Sequence, residues 1–187
     1  MNLNIFDVLV LVVILAFFVI GYIQGTLRRL IGLAITLVAL LAALGLRDPV
    51  GEWLARYWTQ FAPEYSKMLA FGGSFLVIFA AASITAQTFY RRQQVFSRSA
   101  VLDEVVGGLL GAVQAILLVG ILILGLDSYY TLRGLIPDPD EWAVLRNAFS
   151  FYDTSQAAAI FRDSLIPGFL SLVPWIAPAD LRALFAS

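Results

Sequence analysis

Four runs of apolar residues dominate this sequence of 187 residues, and each is long enough to cross a lipid bilayer. They extend over about residues 5–23, 30–46, 68–90 and 105–126. A helix needs about 20 such residues to span roughly 30 Å of hydrocarbon. Backbone groups in lipid must bond within the segment, and the runs lack the alternating pattern of barrel strands. The sequence therefore predicts an all-α integral membrane protein with four transmembrane helices.

The composition supports this class and excludes several kinds of site. Hydrophobic residues make up 60% of the chain and charged residues 13%, against about 25% charged residues in ordinary soluble domains. The net charge is −1 and the basic residues are scattered, which argues against nucleic-acid binding. With no cysteine and no histidine, the chain lacks disulfides, thiol chemistry and the commonest metal ligand. We expect a lipid bilayer as its partner, with no nucleic acid, no cofactor and no metal.

Basic residues in the loops predict the orientation, because cytoplasmic loops carry an excess of lysine and arginine. Arg28 and Arg29 mark the first turn, and the second loop mixes its basic residues with acidic ones. We predict that the first and third loops face the cytoplasm and that both termini lie outside it. No basic residue precedes the first run, which is therefore predicted to be a retained helix rather than a cleaved signal. The remaining basic loop residues are Arg91, Arg92 and Arg98 in the third loop and Arg47, Arg56 and Lys67 in the second.

The loop between the second and third runs is predicted to be partly helical. The second run is expected to end at Arg47-Asp48-Pro49, because proline discourages the preceding residue from staying helical. Beyond it, apolar and aromatic side chains recur on one helical face, which predicts a short interfacial helix with aromatic anchors. This face comprises Val50, Trp53, Leu54, Tyr57, Trp58 and Phe61.

The chain is predicted to divide into a four-helix transmembrane domain, residues 1–126, and a C-terminal tail, residues 127–187. Residues 141–166 contain no proline and suit a helix, whereas the segment after them is too interrupted to span the membrane. We expect an amphipathic, proline-broken tail that lies on or dips into the outer leaflet. The prolines of the tail are Pro137, Pro139, Pro167, Pro174 and Pro178.

Two pairs of glycines, each with three residues between them, mark the first and fourth runs. Gly21 and Gly25 close the first run, and Gly107 and Gly111 open the fourth. Helices in lipid have no hydrophobic drive to associate, and small residues let their backbones approach. The pairs favour either packing within one chain or a seam between copies in a homo-oligomer. They continue alike, as GTLR and GAVQ, which is compatible with an internal duplication or with chance.

The acidic and nucleophilic residues do not form a catalytic pattern. An aspartyl dyad needs two carboxylates that share a proton. The topology places Asp7 and Asp103 about a membrane thickness apart, and Asp127 is predicted to lie where the fourth helix ends in water. A serine nucleophile would lack a histidine, and the one lysine, Lys67, lies in an outer loop. Asp138–Glu141 is interpreted as a solvated turn and helix start, so we expect no enzyme and no catalytic residue.

Asp7 has two interpretations. It follows Asn4 by three residues, which suits a reciprocal helix cap, and the helix dipole favours an anion at this end. Alternatively, it pairs with a residue of another helix or belongs to an ion path. A similar choice applies to the acids that begin the fourth helix, Asp103 and Glu104, which are expected either to cap that helix or to pair with Arg28 or Arg29.

These features together resemble the CvpA, or colicin V production protein, family. The resemblance rests on Asp7 at the head of the first run, on Gly25 and Arg28 at the first turn, and on DEVVGGLLGAVQ opening the fourth run. The tail segment DSLIP, with Ser164 and Pro167, is similar to a Ser-x-x-Pro element that follows the last crossing in that family. The resemblance covers nearly the whole chain.

The resemblance implies a bacterial inner-membrane protein that supports production or export of a secreted peptide toxin and envelope homeostasis, without a known reaction. Alternatives are a small oligomeric channel or transporter and a membrane scaffold for an envelope protein such as a protease. Polar residues of the third run suit either a lined path or bonds between helices; they are Ser74, Ser83, Thr85, Gln87 and Thr88. The candidate functional or packing residues are Asp7, Gly21, Gly25, Arg28, Asp103, Gly107, Gly111, Ser164 and Pro167. The chain departs from the family in the first turn, where it has Gln24-Gly25 and Arg29 in place of the frequent Arg-Gly and Glu, and at Gln114-Ala115, where Arg-Gly is frequent.

Overall fold

The computed structural model describes residues 4–89, 100–133 and 141–185, and within these ranges it contains helices and turns but no strand. Four helices are long and apolar enough to cross a membrane. The predicted all-α membrane fold is therefore confirmed. In chain order the helices are α1 (Ile5–Gln24), α2 (Thr26–Tyr57), α3 (Pro63–Phe89), α4 (Ala100–Arg133), α5 (Ala143–Tyr152), α6 (Gln156–Ile160), a π-helical turn (Phe161–Leu165), α7 (Ile166–Leu172) and α8 (Ala179–Leu184).

Helices α2 and α4 form the centre of the bundle. Helix α1 packs mainly on α4, α3 packs mainly on α2, and the two central helices contact each other. Helices α1 and α3 therefore stand at the periphery. Many of their outward side chains are apolar and more than half exposed, as suits a lipid-facing surface; examples are Leu11, Val12, Val77 and Ile84.

The second transmembrane helix does not end before Pro49, so that prediction is wrong. Helix α2 continues to Tyr57 with Pro49 in its interior. A proline there removes the backbone bond to the carbonyl of Gly45, at a cost of about 3 kcal/mol in an isolated helix. Transmembrane helices tolerate such a gap when neighbouring groups hold the backbone in place.

Contacts on both sides of Pro49 hold α2 in one piece. Before the proline, the buried Arg47 places Nη1 2.8 Å from Asp180 Oδ2 in α8. After it, Gly51 packs so closely on α3 that an added Cβ would lie 2.8 Å from the Cα of Lys67. Tertiary packing therefore outweighs the local preference of proline.

The predicted interfacial helix is the last part of α2 rather than a separate element. Trp53, Tyr57 and Trp58 occur at this end of the helix and are 58%, 70% and 41% exposed. Exposed aromatic residues at the end of a membrane-spanning helix suit the headgroup region. Their position at the membrane interface stays a prediction.

The tail packs on the transmembrane helices through apolar side chains. Helix α6 contacts α1, while α5, the π-helical turn and α8 contact α4. Because these side chains join the core of the bundle, the tail and the transmembrane helices share one core. The tail residues that are at most 5% exposed include Phe149, Tyr152, Phe161, Leu170 and Leu181.

Proline does not interrupt the middle of the tail. Residues 156–172 form one helical stretch in which the π-helical turn joins α6 to α7. Pro167 is the second residue of α7 and directly follows the π-helical turn, in which the Ile166 N–H bonds to the carbonyl of Phe161. Pro178 precedes α8. Several residues named in the sequence predictions lie outside the described ranges: Arg91, Arg92, Arg98, Pro137, Pro139 and Asp138.

Replacing Pro49 with alanine is expected to stabilise the protein, because the alanine N–H can bond the carbonyl of Gly45. We expect the free energy of unfolding to rise by about 1 to 3 kcal/mol. Thermal unfolding in detergent, followed by circular dichroism, measures the change. The control is Pro178→Ala, which removes a proline outside a helix interior. A lower stability for Pro49→Ala than for the natural chain would contradict this account.

Candidate functional site

The two predicted glycine pairs face each other where α1 crosses α4. A Cβ added to Gly107 would lie 2.6 Å from the carbonyl oxygen of Gly21 and 2.7 Å from the carbonyl carbon of Gly25. A Cβ added to Gly111 would clash with the backbone of Phe17. Only glycine permits this backbone approach, so the pairs are used inside one chain.

Gly25 forms the turn between α1 and α2. Its φ of 79° lies in the left-handed region, which glycine adopts without the steric cost of a Cβ. An added Cβ would also lie 2.5 Å from Oδ2 of Asp103. The Asp103 carboxylate is therefore packed directly against the turn, and Thr26 Oγ1 donates a hydrogen bond to the Asp103 carbonyl at 2.8 Å.

A buried polar chain continues from this turn into the bundle. Arg29 Nη1 donates to Gln114 Oε1 at 3.0 Å, and Gln114 Nε2 donates to Thr36 Oγ1 at 3.1 Å. The guanidinium of Arg29 also lies over the ring of Phe17, 5.4 Å from its centroid. We call Thr26, Arg29, Thr36, Asp103 and Gln114, all at most 7% exposed, the turn cluster.

The buried arginine of the first turn is Arg29, whereas Arg28 is exposed. The sequence prediction singled out Arg28 because the family resemblance includes it, and composition alone does not distinguish two adjacent arginines. The structure shows that Arg29 bonds to Gln114, and both are positions at which the chain departs from the family pattern. Asp103 joins the same region through Gly25 and Thr26, and its Oδ1 has no hydrogen-bond partner within the described residues.

Asp7 lies at the other end of α1 and connects two helix starts. Its Oδ2 accepts the backbone N–H of Asn4 at 2.8 Å, and its Oδ1 accepts the backbone N–H of Ala157 in α6, also at 2.8 Å. The side-chain Nδ2 of Asn4 donates to the carbonyl of Phe151 at 3.2 Å. Asp7 therefore caps its own helix and the first turn of α6, and so ties the N-terminus to the tail.

A second buried cluster joins α4 to the tail. Asp127 lies inside α4 and is 0% exposed, so the prediction that it lies where the helix ends in water is wrong. The helix continues past the apolar run to Arg133, and the tail covers this part of it. Both carboxylate oxygens accept from Arg162, at 2.7 and 2.8 Å, and Tyr152 donates to Oδ1 at 2.8 Å.

Asp153 completes this group, and we call Asp127, Tyr152, Asp153 and Arg162 the tail cluster. Arg162 Nη1 lies 3.0 Å from Asp153 Oδ1. Hydrogen bonding to Asp127 raises the pKa of Arg162 above its usual value. Burial, with the nearby Asp127 charge, raises the pKa of Tyr152. At neutral pH the arginine is therefore charged and the tyrosine is neutral, which keeps the bidentate pair intact.

Ser164 and Pro167 lie close to the tail cluster along the chain, at the opposite end of α4 from the turn cluster. Ser164 is exposed in the π-helical turn that also carries Arg162. The structure therefore does not bring Ser164 or Pro167 to Gly25 and Asp103. The resemblance emphasised the serine, but Arg162 makes the buried contacts. A charge beside an apolar run needs a partner. This rule could have predicted from the sequence that Asp127 pairs with a basic residue such as Arg162.

In both clusters, polar side chains bind an arginine in apolar surroundings. The threonine hydroxyls of the turn cluster donate to carbonyl oxygens of Asp103 and Gly32. Within the part of the chain that the structure describes, no group of three or more acidic residues is placed to bind a metal ion. Low-dielectric surroundings strengthen such polar contacts and make their loss costly.

Replacing Gly107 with alanine is expected to force α1 and α4 apart, because the new Cβ would meet backbone atoms that cannot move aside. The free energy of unfolding should fall by about 1 to 3 kcal/mol, measured by thermal unfolding in detergent. Gly168→Ala serves as the matched control, since a Cβ there meets no atom within 4 Å. Equal stability of the two variants would refute the close crossing.

Replacing Asp127 with alanine is expected to release the tail from α4, because Arg162 and Tyr152 lose their shared acceptor. Removing one partner of a buried ion pair costs about 3 to 5 kcal/mol. The control is Asp153→Ala, which removes the more exposed acid beside Arg162 and should cost about 0 to 1 kcal/mol. Thermal unfolding and the rate of proteolysis in α5 measure both effects; similar values for the two variants would contradict the assignment.

The sequence of the four-helix region matches a known protein family. A family model described as colicin V production protein matches residues 6–156, a range that takes in the four long helices and α5. No curated protein and no solved structure matches the chain. Because the family match extends over well more than half of the sequence, it shows membership. The chain belongs to the colicin V production protein family.

Proposed function

We propose that this protein is a non-enzymatic component of the bacterial inner membrane that supports production or export of a secreted peptide toxin and, more broadly, envelope homeostasis. The observation that carries the proposal is the match of residues 6–156 to a family named for colicin V production. The four apolar helices support a multi-pass membrane location. The turn cluster is the part of the chain to which we assign this role.

The burial of charge supports that assignment. Ionisable groups within transmembrane helices are costly and mark functional sites more often than structural ones. A turn between two helices requires Gly25 but does not require Arg29 or Asp103 to be buried beside it. The tail cluster, by contrast, is fully explained by the attachment of the tail. We therefore propose a functional role for the turn cluster and a structural role for the tail cluster.

The proposed orientation places both termini outside the cytoplasm. The turn cluster then lies near the cytoplasmic face, with the tail and the exposed aromatic residues of α2 at the opposite face, on the outer leaflet. We also propose a homo-oligomer. Because the glycine pairs are buried between α1 and α4, its seam would use the outward face of α1 or α3.

The alternative functions are a channel or transporter and a scaffold for another envelope protein. Two of the polar residues of α3, Thr85 and Gln87, are exposed, and Thr85 donates to the carbonyl of Ala81 in its own helix. A path lined by them would have to form between copies. Ion or solute flux through vesicles that contain the protein would favour the channel over the scaffold.

A complementation experiment tests the proposed function. The protein is expressed in a colicin V-producing strain that lacks its own family member, and secreted toxin is measured by inhibition of a sensitive indicator strain. We expect the natural chain to restore secretion. Asp103→Asn should not restore it, because the neutral amide removes the buried charge beside Gly25 while it preserves side-chain size.

Glu52→Gln is the control variant, since it neutralises an exposed acid of α2 far from the turn. Immunoblots of the membrane fraction establish that all three proteins accumulate equally. Toxin secretion that is the same with and without the natural chain would overturn the proposed function. Full secretion with Asp103→Asn would leave the function standing and remove the role of the turn cluster.

A further inference from the structure

An apolar slot lies between α3 and α4 in the half of the bundle nearest the tail. Its volume is about 650 Å³, within the range of ligand pockets in proteins. The end of α2 and the first residues before and within α5 complete its walls, and every lining residue is apolar, aromatic or glycine. The slot is distinct from both the turn cluster and the tail cluster.

The slot exists because α3 packs on α2 and makes fewer contacts with α4. On the α3 side, Gly72 and Gly73 leave the gap open, since a Cβ added to either would meet no atom within 4 Å. On the α4 side, Gly125 lets the ring of Phe71 approach to 3.3 Å from an added Cβ. Larger residues at Gly72 and Gly73 would fill the space that glycine leaves empty, whereas Phe71 already occupies the space beside Gly125.

The chemistry of the walls decides what can occupy the slot. Water is a poor occupant, because an apolar cavity offers it no hydrogen-bond partners. At the end nearest the tail the walls include Trp58 and Trp142, which are 41% and 52% exposed. The backbone N–H of Trp142 donates to the Tyr65 hydroxyl at 3.1 Å, which anchors this end. Exposed tryptophans favour the headgroup level of a bilayer, so the slot extends from that level into the hydrocarbon.

The size of the slot distinguishes between the two apolar occupants that a membrane offers. A helix with its side chains is about 10 to 12 Å across, so 650 Å³ would hold only about one to one and a half turns of a helix. A hydrocarbon chain is far thinner and can follow a slot of this volume along its length. We propose that the slot binds one acyl chain of a bilayer phospholipid in the half of the membrane nearest the tail.

Photocrosslinking tests this proposal without reference to the toxin assay. The full chain is reconstituted in vesicles of phosphatidylethanolamine and phosphatidylglycerol that contain a phosphatidylcholine with a photoactivatable acyl chain. Adducts are mapped by mass spectrometry, and those on the outward face of α1 serve as the reference for bulk lipid. We expect adducts to be enriched on slot residues such as Leu76 and Leu122 over that reference, and native mass spectrometry to retain one phospholipid per chain after detergent exchange.

Gly72→Leu and Gly73→Leu fill the slot. Each should lower the slot adducts relative to the α1 adducts, and the retained phospholipid, by at least about tenfold, the change expected when about two methylene groups lose their apolar contacts. Gly168→Leu is the matched control, because it places the same side chain in open space in α7, and it should retain the lipid. Thermal unfolding identifies any variant that fails to fold.

Three results would overturn the proposal: uniform adducts over α1 and the slot, no retained phospholipid, or equal retention by folded Gly72→Leu and Gly168→Leu. A second copy of the chain is the competing occupant. Because the chain has no native cysteine, Gly73→Cys reports on it directly. Disulfide-linked dimers of that variant in membranes would assign the slot to a second copy instead of a lipid.

Discussion

Helices in lipid gain little by burying apolar surface against each other, so close contact between backbones is the constraint on which this structure depends. Where α1 crosses α4, glycine on both helices allows this close backbone contact. That crossing also determines where Gly25 turns the chain and brings Asp103 against the turn. The position of the turn cluster is therefore a consequence of how closely two backbones approach.

Two of the elements without such a glycine crossing, α8 and the π-helical turn, are linked to the bundle by buried charge. Arg47 links α2 to α8, and Arg162 links the π-helical turn to α4. A buried ion pair is expensive to desolvate and costs more to break than it contributes when intact. It is therefore suited to fixing the position of the short tail helices, which are too brief to be stable in isolation. Glycine positions two helices by letting their backbones touch, whereas arginine links two elements through its long side chain.

The sequence predicted what depends on local composition and missed what depends on tertiary contacts. The four crossings followed from hydropathy over stretches of about 20 residues. The end of α2 was predicted wrongly because contacts of Arg47 and Gly51 override the local effect of Pro49. Arg29 could not be separated from Arg28, since the helical phase that buries one of them depends on the backbone of Gly25. Asp127 was misplaced because α4 extends beyond its apolar run and the tail covers it.

The contact between Asp7 and Ala157 joins residues that are 150 positions apart in the sequence. During synthesis, α1 is made long before α6. The carboxylate of Asp7 therefore lacks the backbone N–H of Ala157 until α6 has been made. In the same way, Asp127 lacks its ion-pair partner until Arg162 is made, 35 residues later. The tail is therefore the last element that can satisfy these acids. A chain that stops before residue 157 lacks both the Ala157 amide and Arg162, which leaves Asp7 with only the cap of its own helix and Asp127 without its cation.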